Sequence, residues 1–237
     1  MASSSQSSKR SLFSLQMRKA TRDVHAVSDA LVNAKLFLAL SNNAVWADGL
    51  LVFYEVFRLL ENAMTTLKGS PVYQFNIEGL ARTEAFELDL AYYLGVDWTK
   101  TYEPRESVVK YLMHLRHLEK TEPILLVAYI YHLYMGLLSG GQILRKKRIM
   151  ASKLNFSPKL TGLKQKLRIT LDELALTLDD ETKLKLLEES RRVFLLNNEI
   201  IKSVRGTTTV VLLKLLFILV VVVILYFCYL LCKNIAW

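Results

Sequence analysis

The stretch LYMGLLSGGQILRKK, residues 133–147, places three glycines, Gly136, Gly140 and Gly141, inside one otherwise helical and largely apolar run. Its LSGGQ is also the signature pentapeptide of ABC-type ATPases. Such an ATPase needs a G-x-x-x-x-G-K-[ST] loop upstream, whose backbone N–H groups and Lys hold the phosphates. The chain contains no Gly-Lys dipeptide. It also lacks the alternation of strands and helices that a nucleotide-binding sheet requires. ATP hydrolysis is excluded. Each Gly inside a helix is unfavourable by about 0.5–1 kcal/mol relative to Ala, so three so close together require a use. Gly136 and Gly140 are four apart and share a helical face, and Gly141 widens the gap. That face lets backbone approach something flat and large; close helix–helix packing is the alternative use.

Working outward, apolar residues recur at three- and four-residue spacing over 14–40, 45–68, 78–94, 106–119, 123–147, 161–177 and 180–204. Lys68-Gly69-Ser70-Pro71, Gly95, Pro104, Glu122-Pro123 and Ser157-Pro158 punctuate these segments. Pro123 suits a first-turn position, where its missing N–H leaves nothing unsatisfied. No segment alternates with the period of a strand. The expected fold is a single all-α domain over residues 14–205, preceded by a disordered Ser-rich tail over 1–13.

Residues 210–232 read VVLLKLLFILVVVVILYFCYLLC, interrupted only by Lys214. At ~1.5 Å per residue this spans roughly 34 Å, enough for a hydrocarbon layer of about 30 Å. It is expected to be a C-terminal transmembrane helix, a tail anchor in the lipid bilayer, with Lys214 snorkelling to the interface. The N-terminal MASSSQSSKR has no apolar core and cannot act as a signal peptide. Lys202, Arg205 and Lys214 flank the span on the expected cytosolic side. Both cysteines, Cys228 and Cys232, lie in the span and carry no disulfide argument. The net charge of +9 points to anionic lipid, an acidic partner or an anionic ligand. Nucleic acid is not an expected partner of a membrane-tethered chain without a recognisable binding module.

Near the start, Arg18, Arg22, His25 and Asp29 fall at helical spacing as one stripe. A carboxylate four residues after a His can orient one ring nitrogen while the other faces a ligand or metal. A solvated or core histidine is the plainer reading. His114 and His117 lack the carboxylate set of a di-metal bundle, and His132, among Tyr129, Tyr131 and Tyr134, reads as packing.

Together these segments resemble the haem oxygenase family over about residues 15–204. ATRDVH (20–25) is similar to its proximal segment and TEPILLVAYIYHLYMGLLSGGQILRKK (121–147) to its distal helix. FELDLAYYLG (86–95) and FLLN (194–197) also match. The resemblance implies a haem-oxygenase-like helical domain, with the anchor typical of animal microsomal members. It makes His25 the axial iron ligand and places Arg18, Arg22, Lys164 and Arg168 at the propionates. Tyr131, Gly136, Gly140 and Phe194 join them at the haem.

The implied activity takes haem as both cofactor and substrate. With O2 and electrons from NADPH through a membrane-bound NADPH-cytochrome reductase, it yields biliverdin, carbon monoxide and ferrous iron. Biliverdin reductase is a further implied partner, and the endoplasmic reticulum membrane, with the domain facing the cytosol, the implied location.

This sequence departs from the family pattern at the distal side. The usual Asp after the first distal glycine is Leu137, a usual Arg is Leu133, and a usual Tyr is Phe57. Tyr111 and Asn197 survive. Gly136, Leu137, Gly140 and Asn197 are the expected catalytic surroundings, and the losses predict slow or poorly regiospecific turnover. The alternatives are a tail-anchored protein that binds or senses haem with little ring opening, and a helical tail-anchored interaction protein.

Overall fold

A computed structural model describes the backbone of residues 12–147 and 160–235, and side chains over 12–140 and 162–226. The described residues are helical throughout their regular elements, with no strand. In order they are α1 (Phe13–Ala20), α2 (Arg22–Ala39), α3 (Asn43–Thr66), α4 (Thr83–Leu94) and α5 (Glu106–Thr121). There follow α6 (Leu126–Lys147), α7 (Leu160–Thr177), α8 (Asp180–Lys202) and α9 (Thr207–Ile235). Short 3₁₀ turns occupy Pro71–Phe75, Trp98–Lys100 and Pro123–Leu125.

Local chemistry explains several boundaries. Asn42 caps α3 by accepting from the Val45 N–H at 3.1 Å, and Asp179 caps α8 by accepting from Thr182 at 2.6 Å. Helix α4 begins at Thr83 rather than near 78 because its cap is tertiary. The Glu61 carboxylate of α3 accepts the Arg82 and Thr83 N–H groups at 2.6 and 3.1 Å. Gly95, with φ +93°, ends it. Pro123 opens a 3₁₀ turn before α6, in keeping with its missing donor.

One expected helix is two. The run over 14–40 breaks at Thr21, whose backbone leaves helical geometry (φ −105°, ψ 3°). The Thr21 hydroxyl donates to Met17 O at 2.9 Å, a local bond that competes with the helical ladder. The helical domain also starts one residue earlier than the expected 14, with Phe13 buried in α1. Residues 1–11 of the expected tail lie outside the described residues.

The core sits where α3, α5, α6 and α8 meet. From Leu126 to Ile130, α6 has no exposed position at all, so no polar face is possible there. Each such side chain contributes roughly 1.5–3 kcal/mol by burial. One buried acid, Glu189 of α8, is fully engaged: it accepts from Tyr129 at 2.5 Å, bonds His114 Nε2 at 2.9 Å and pairs with Arg192 at 3.0 Å.

Candidate functional site

The site gathers on α2, α6, α7 and α8. On α2, His25 Nδ1 lies 2.9 Å from Asp29 Oδ2, and both side chains are more than half exposed. The i, i+4 spacing supplies this contact by itself, as the sequence implied. It engages Nδ1 and leaves Nε2 as the nitrogen outside this contact. Helix α2 is tied to α8 twice. Ser28 donates to Asn198 Oδ1 at 2.8 Å inside the core, and Arg191 makes a two-pronged pair with Asp23 at 2.7 Å on each prong. Arg191 also donates to Ala20 O at 2.7 Å, at the break before α2. That guanidinium holds the Asp23 carboxyl down at about 2.

Aromatic rings connect this helix to the glycine helix. The His25 ring packs on Phe194 at 5.2 Å, and Phe194 packs on His132 of α6 at 5.1 Å. His132 lies one turn before Gly136 on the face that carries Gly136 and Gly140. Its Nε2 is buried with no hydrogen-bond partner among the described residues. Burial, with the neighbouring His25 second, pushes its pKa from 6.5 down to about 3, so it is neutral. Among the described residues, a Cβ built on Gly136 or Gly140 would meet nothing within 4 Å. The glycines therefore border open space among the described residues, which favours an open face over tight helix packing.

The cationic residues converge in part. Arg18 and Arg168 both act on the Tyr131 phenol. Burial raises its pKa, while its hydrogen bond to Arg168 and the Arg168 and Arg18 charges pull it back. Arg168 is exposed, with Lys164 half-buried one turn earlier on α7. Arg22 is exposed in the first turn of α2, so the break at Thr21 puts Arg18 on a different helix from the other three members of the expected stripe. Ser14 pins α1 to α7 through both oxygens of Asp172, at 2.7 and 2.9 Å.

On the distal side, Leu133 is buried, Leu137 is half-buried against the core, and Phe57 is buried between Phe86 and Tyr134. Asn197 Oδ1 accepts from the buried Tyr111 hydroxyl at 3.1 Å. The Asn doublet thus divides its work: Asn197 pairs with α5, and Asn198 locks α2. Sequence reasoning missed Asn198, Ser28 and Arg191; the doublet and the acid two residues before His25 were the available signals. Gly141 lies within α6. No cluster of His, Cys, Asp and Glu able to hold a free metal ion occurs among the described residues, and His114 is instead bonded to Glu189.

An oriented, accessible imidazole, an uncrowded glycine face and cations for two carboxylates fit a flat dianionic macrocycle with an iron centre. The Heme oxygenase family model matches residues 11–203. Heme oxygenase 1 of Homo sapiens is 30% identical over 207 residues, covering 80% of this chain and 70% of that protein. Heme oxygenase 1 of Nostoc sp. is 28% identical over 204 residues, covering 81% and 85%. Among solved structures, heme oxygenase 2 from Chlamydomonas reinhardtii without heme is 30% identical and superposes with a TM-score of 0.75 over 81% of this chain and 97% of that one. The fold is shared as well with heme oxygenase-1 from Synechocystis sp. PCC6803 in complex with heme, at a TM-score of 0.75 and 23% identity, covering 90% and 99%. This chain belongs to the heme oxygenase family.

Proposed function

We propose that the protein is a haem-degrading oxygenase that takes haem as cofactor and substrate and releases biliverdin, carbon monoxide and ferrous iron. Bound haem supplies the iron at which O2 is reduced, with electrons from NADPH through a membrane-bound reductase. The observation that carries this reading is the ring contact His25–Phe194–His132. It sets the Asp29-oriented imidazole one aromatic ring away from the helix whose glycines border open space.

In this reading His25 would hold the haem iron through Nε2, with Asp29 keeping the ring orientation through Nδ1. Arg18, Arg22, Lys164 and Arg168, with the Tyr131 hydroxyl, hold the propionates through charge-assisted bonds. Gly136 and Gly140 let backbone lie against the macrocycle, Phe194 supports the imidazole from α8, and Asn197 with Tyr111 is the polar pair left near the distal helix. The apolar α9 anchors the protein in the endoplasmic reticulum membrane with the domain in the cytosol, beside the reductase and biliverdin reductase.

One observation favours a second reading, haem binding with slow or no ring opening. Leu133, Leu137 and Phe57 are apolar and at least half-buried, so none can anchor a water over the iron. Hemin-loaded protein supplied with a cytochrome reductase and NADPH distinguishes them. Growth of biliverdin absorbance supports the oxygenase; an unchanged Soret band through many equivalents of NADPH supports the binder.

A further inference from the structure

Helix α9 does not leave the domain through a slack linker. Four residues separate it from α8, and most of them are engaged. Arg105, at the N-cap of α5, donates to Ser203 O at 2.6 Å and pairs with Asp48 of α3, whose other oxygen accepts the Arg205 N–H at 2.6 Å. Lys35 of α2 donates to Val204 O at 3.2 Å and to the Thr207 hydroxyl at 3.0 Å. Gly206 turns with φ +79°, and a Cβ there would come within 3.1 Å of Val45 Cγ2. Val210, one turn into α9, is buried with the core. At the next turn the Lys214 ammonium lies 4.6 Å from the centre of the exposed Phe37 ring of α2.

These contacts divide α9. Its first two turns belong to the domain, and the unbroken apolar stretch begins after Lys214. Residues 215–232 span roughly 27 Å at ~1.5 Å per residue, close to the about 30 Å of a hydrocarbon layer. A bilayer filled by that stretch has its surface at the level of Lys214 and Phe37. A cation resting on an aromatic ring suits that depth. Lys202 and Arg205, exposed where the chain turns into α9, add basic charge on the domain side of that level, and anionic headgroups attract a basic side chain near the surface by about 1 kcal/mol.

We propose that the end of the domain formed by α2 around Phe37 and the first turns of α9 is a docked joint that seats the domain directly on an anionic bilayer, with Phe37 and Lys214 at headgroup level. The proposal rests on α9 being the membrane anchor. The joint holds one end of the helix that carries His25. Twelve residues separate His25 from Phe37, about 18 Å of helix, so the site keeps one height and one orientation above the lipid.

The test uses the full chain with Cys228→Ala and Cys232→Ala, reconstituted in phosphatidylcholine–phosphatidylserine vesicles. A nitroxide is placed at Phe37→Cys or at Leu176→Cys. Leu176 is exposed beside the turn into α8, whose 23 residues put that turn roughly 33 Å from the joint. Position 37 is expected to be several-fold less accessible to a water-soluble nickel chelate than position 176. A Gly-Ser insertion after Gly206 should make the two equal. Equal accessibility in the native-length chain, or protection that survives the insertion, overturns the joint. Release of the native-length chain by alkaline carbonate overturns the anchor itself, and the joint with it.

Discussion

The α2 wall and the α6 wall of the site are built from opposite materials. On α2 an imidazole, a carboxylate and the Arg22 cation are solvent-facing and set by sequence spacing, as His25 and Asp29 at 2.9 Å illustrate. On α6 the wall is backbone at Gly136 and Gly140 together with Leu133 and Leu137, and the Nε2 of His132 is buried with no hydrogen-bond partner among the described residues. The difference assigns the tasks. The α2 wall with α7 can hold and orient an iron macrocycle, whereas the α6 wall shapes space and offers few side-chain hydrogen bonds.

His25→Ala should have the largest effect, abolishing or strongly shifting the hemin Soret band. A wild-type spectrum from that variant would break the assignment of ligation to α2. Reversing Lys164 and Arg168 to Glu comes next. Charge-assisted bonds are worth ~1.5–3 kcal/mol each, and ~1.4 kcal/mol is tenfold in affinity. Hemin titration should therefore show a loss of at least about tenfold; unchanged affinity would return both residues to the solvated surface.

The α6 wall can be tested by pH. His132 has a folded pKa of about 3 against an ordinary 6.5. Between those values the unfolded chain binds a proton that the folded chain does not. Stability thus falls as pH drops from 6.5 towards 3, by at most ~1.4 kcal/mol per pH unit for this group. Urea midpoints measured near neutrality and near pH 5 should converge in His132→Phe. If the variant keeps the wild-type slope, the imidazole is not buried as described.

Leu137→Asp sharpens the contrast by making the distal wall polar. It should raise biliverdin yield or narrow its isomer composition, as read by chromatography of the products. A buried, poorly paired carboxylate is destabilising, so circular dichroism must first show a native fold. A folded, hemin-loaded variant with unchanged products would clear Leu137 of limiting turnover. The smallest effect has two signs. Gly136→Ala should stabilise the hemin-free protein by roughly 0.5–1 kcal/mol, since a Cβ meets nothing there, yet weaken hemin binding. Equal or tighter hemin binding would show that the macrocycle does not lie against this face.

Much of the proximal side was legible because it is local. A carboxylate at i+4 finds its His whatever the rest of the fold does, and a glycine stripe at 136 and 140 follows from the helical period alone. The break at Thr21, the partition of Asn197 and Asn198, and the tertiary cap of Glu61 on α4 were not legible. Each depends on a partner between 21 and 170 residues away, or on a hydroxyl choosing between equivalent acceptors.

Two helices show where the boundary lies. By length and composition, both Pro123–Gly140 and Thr207–Tyr226 could cross a membrane. Sequence by itself determined that both are apolar helices, because hydropathy and period are properties of the chain. The sequence already favoured the second as the span, for its longer run with a single charge. The tertiary structure supplied the physical difference, with 56% of the first window buried inside the domain against 6% of the second. The first buries its surface against α7, α8 and the rest of the core. The second leaves the side chains of residues 215–225 exposed, and removal of that apolar surface from water requires another apolar phase.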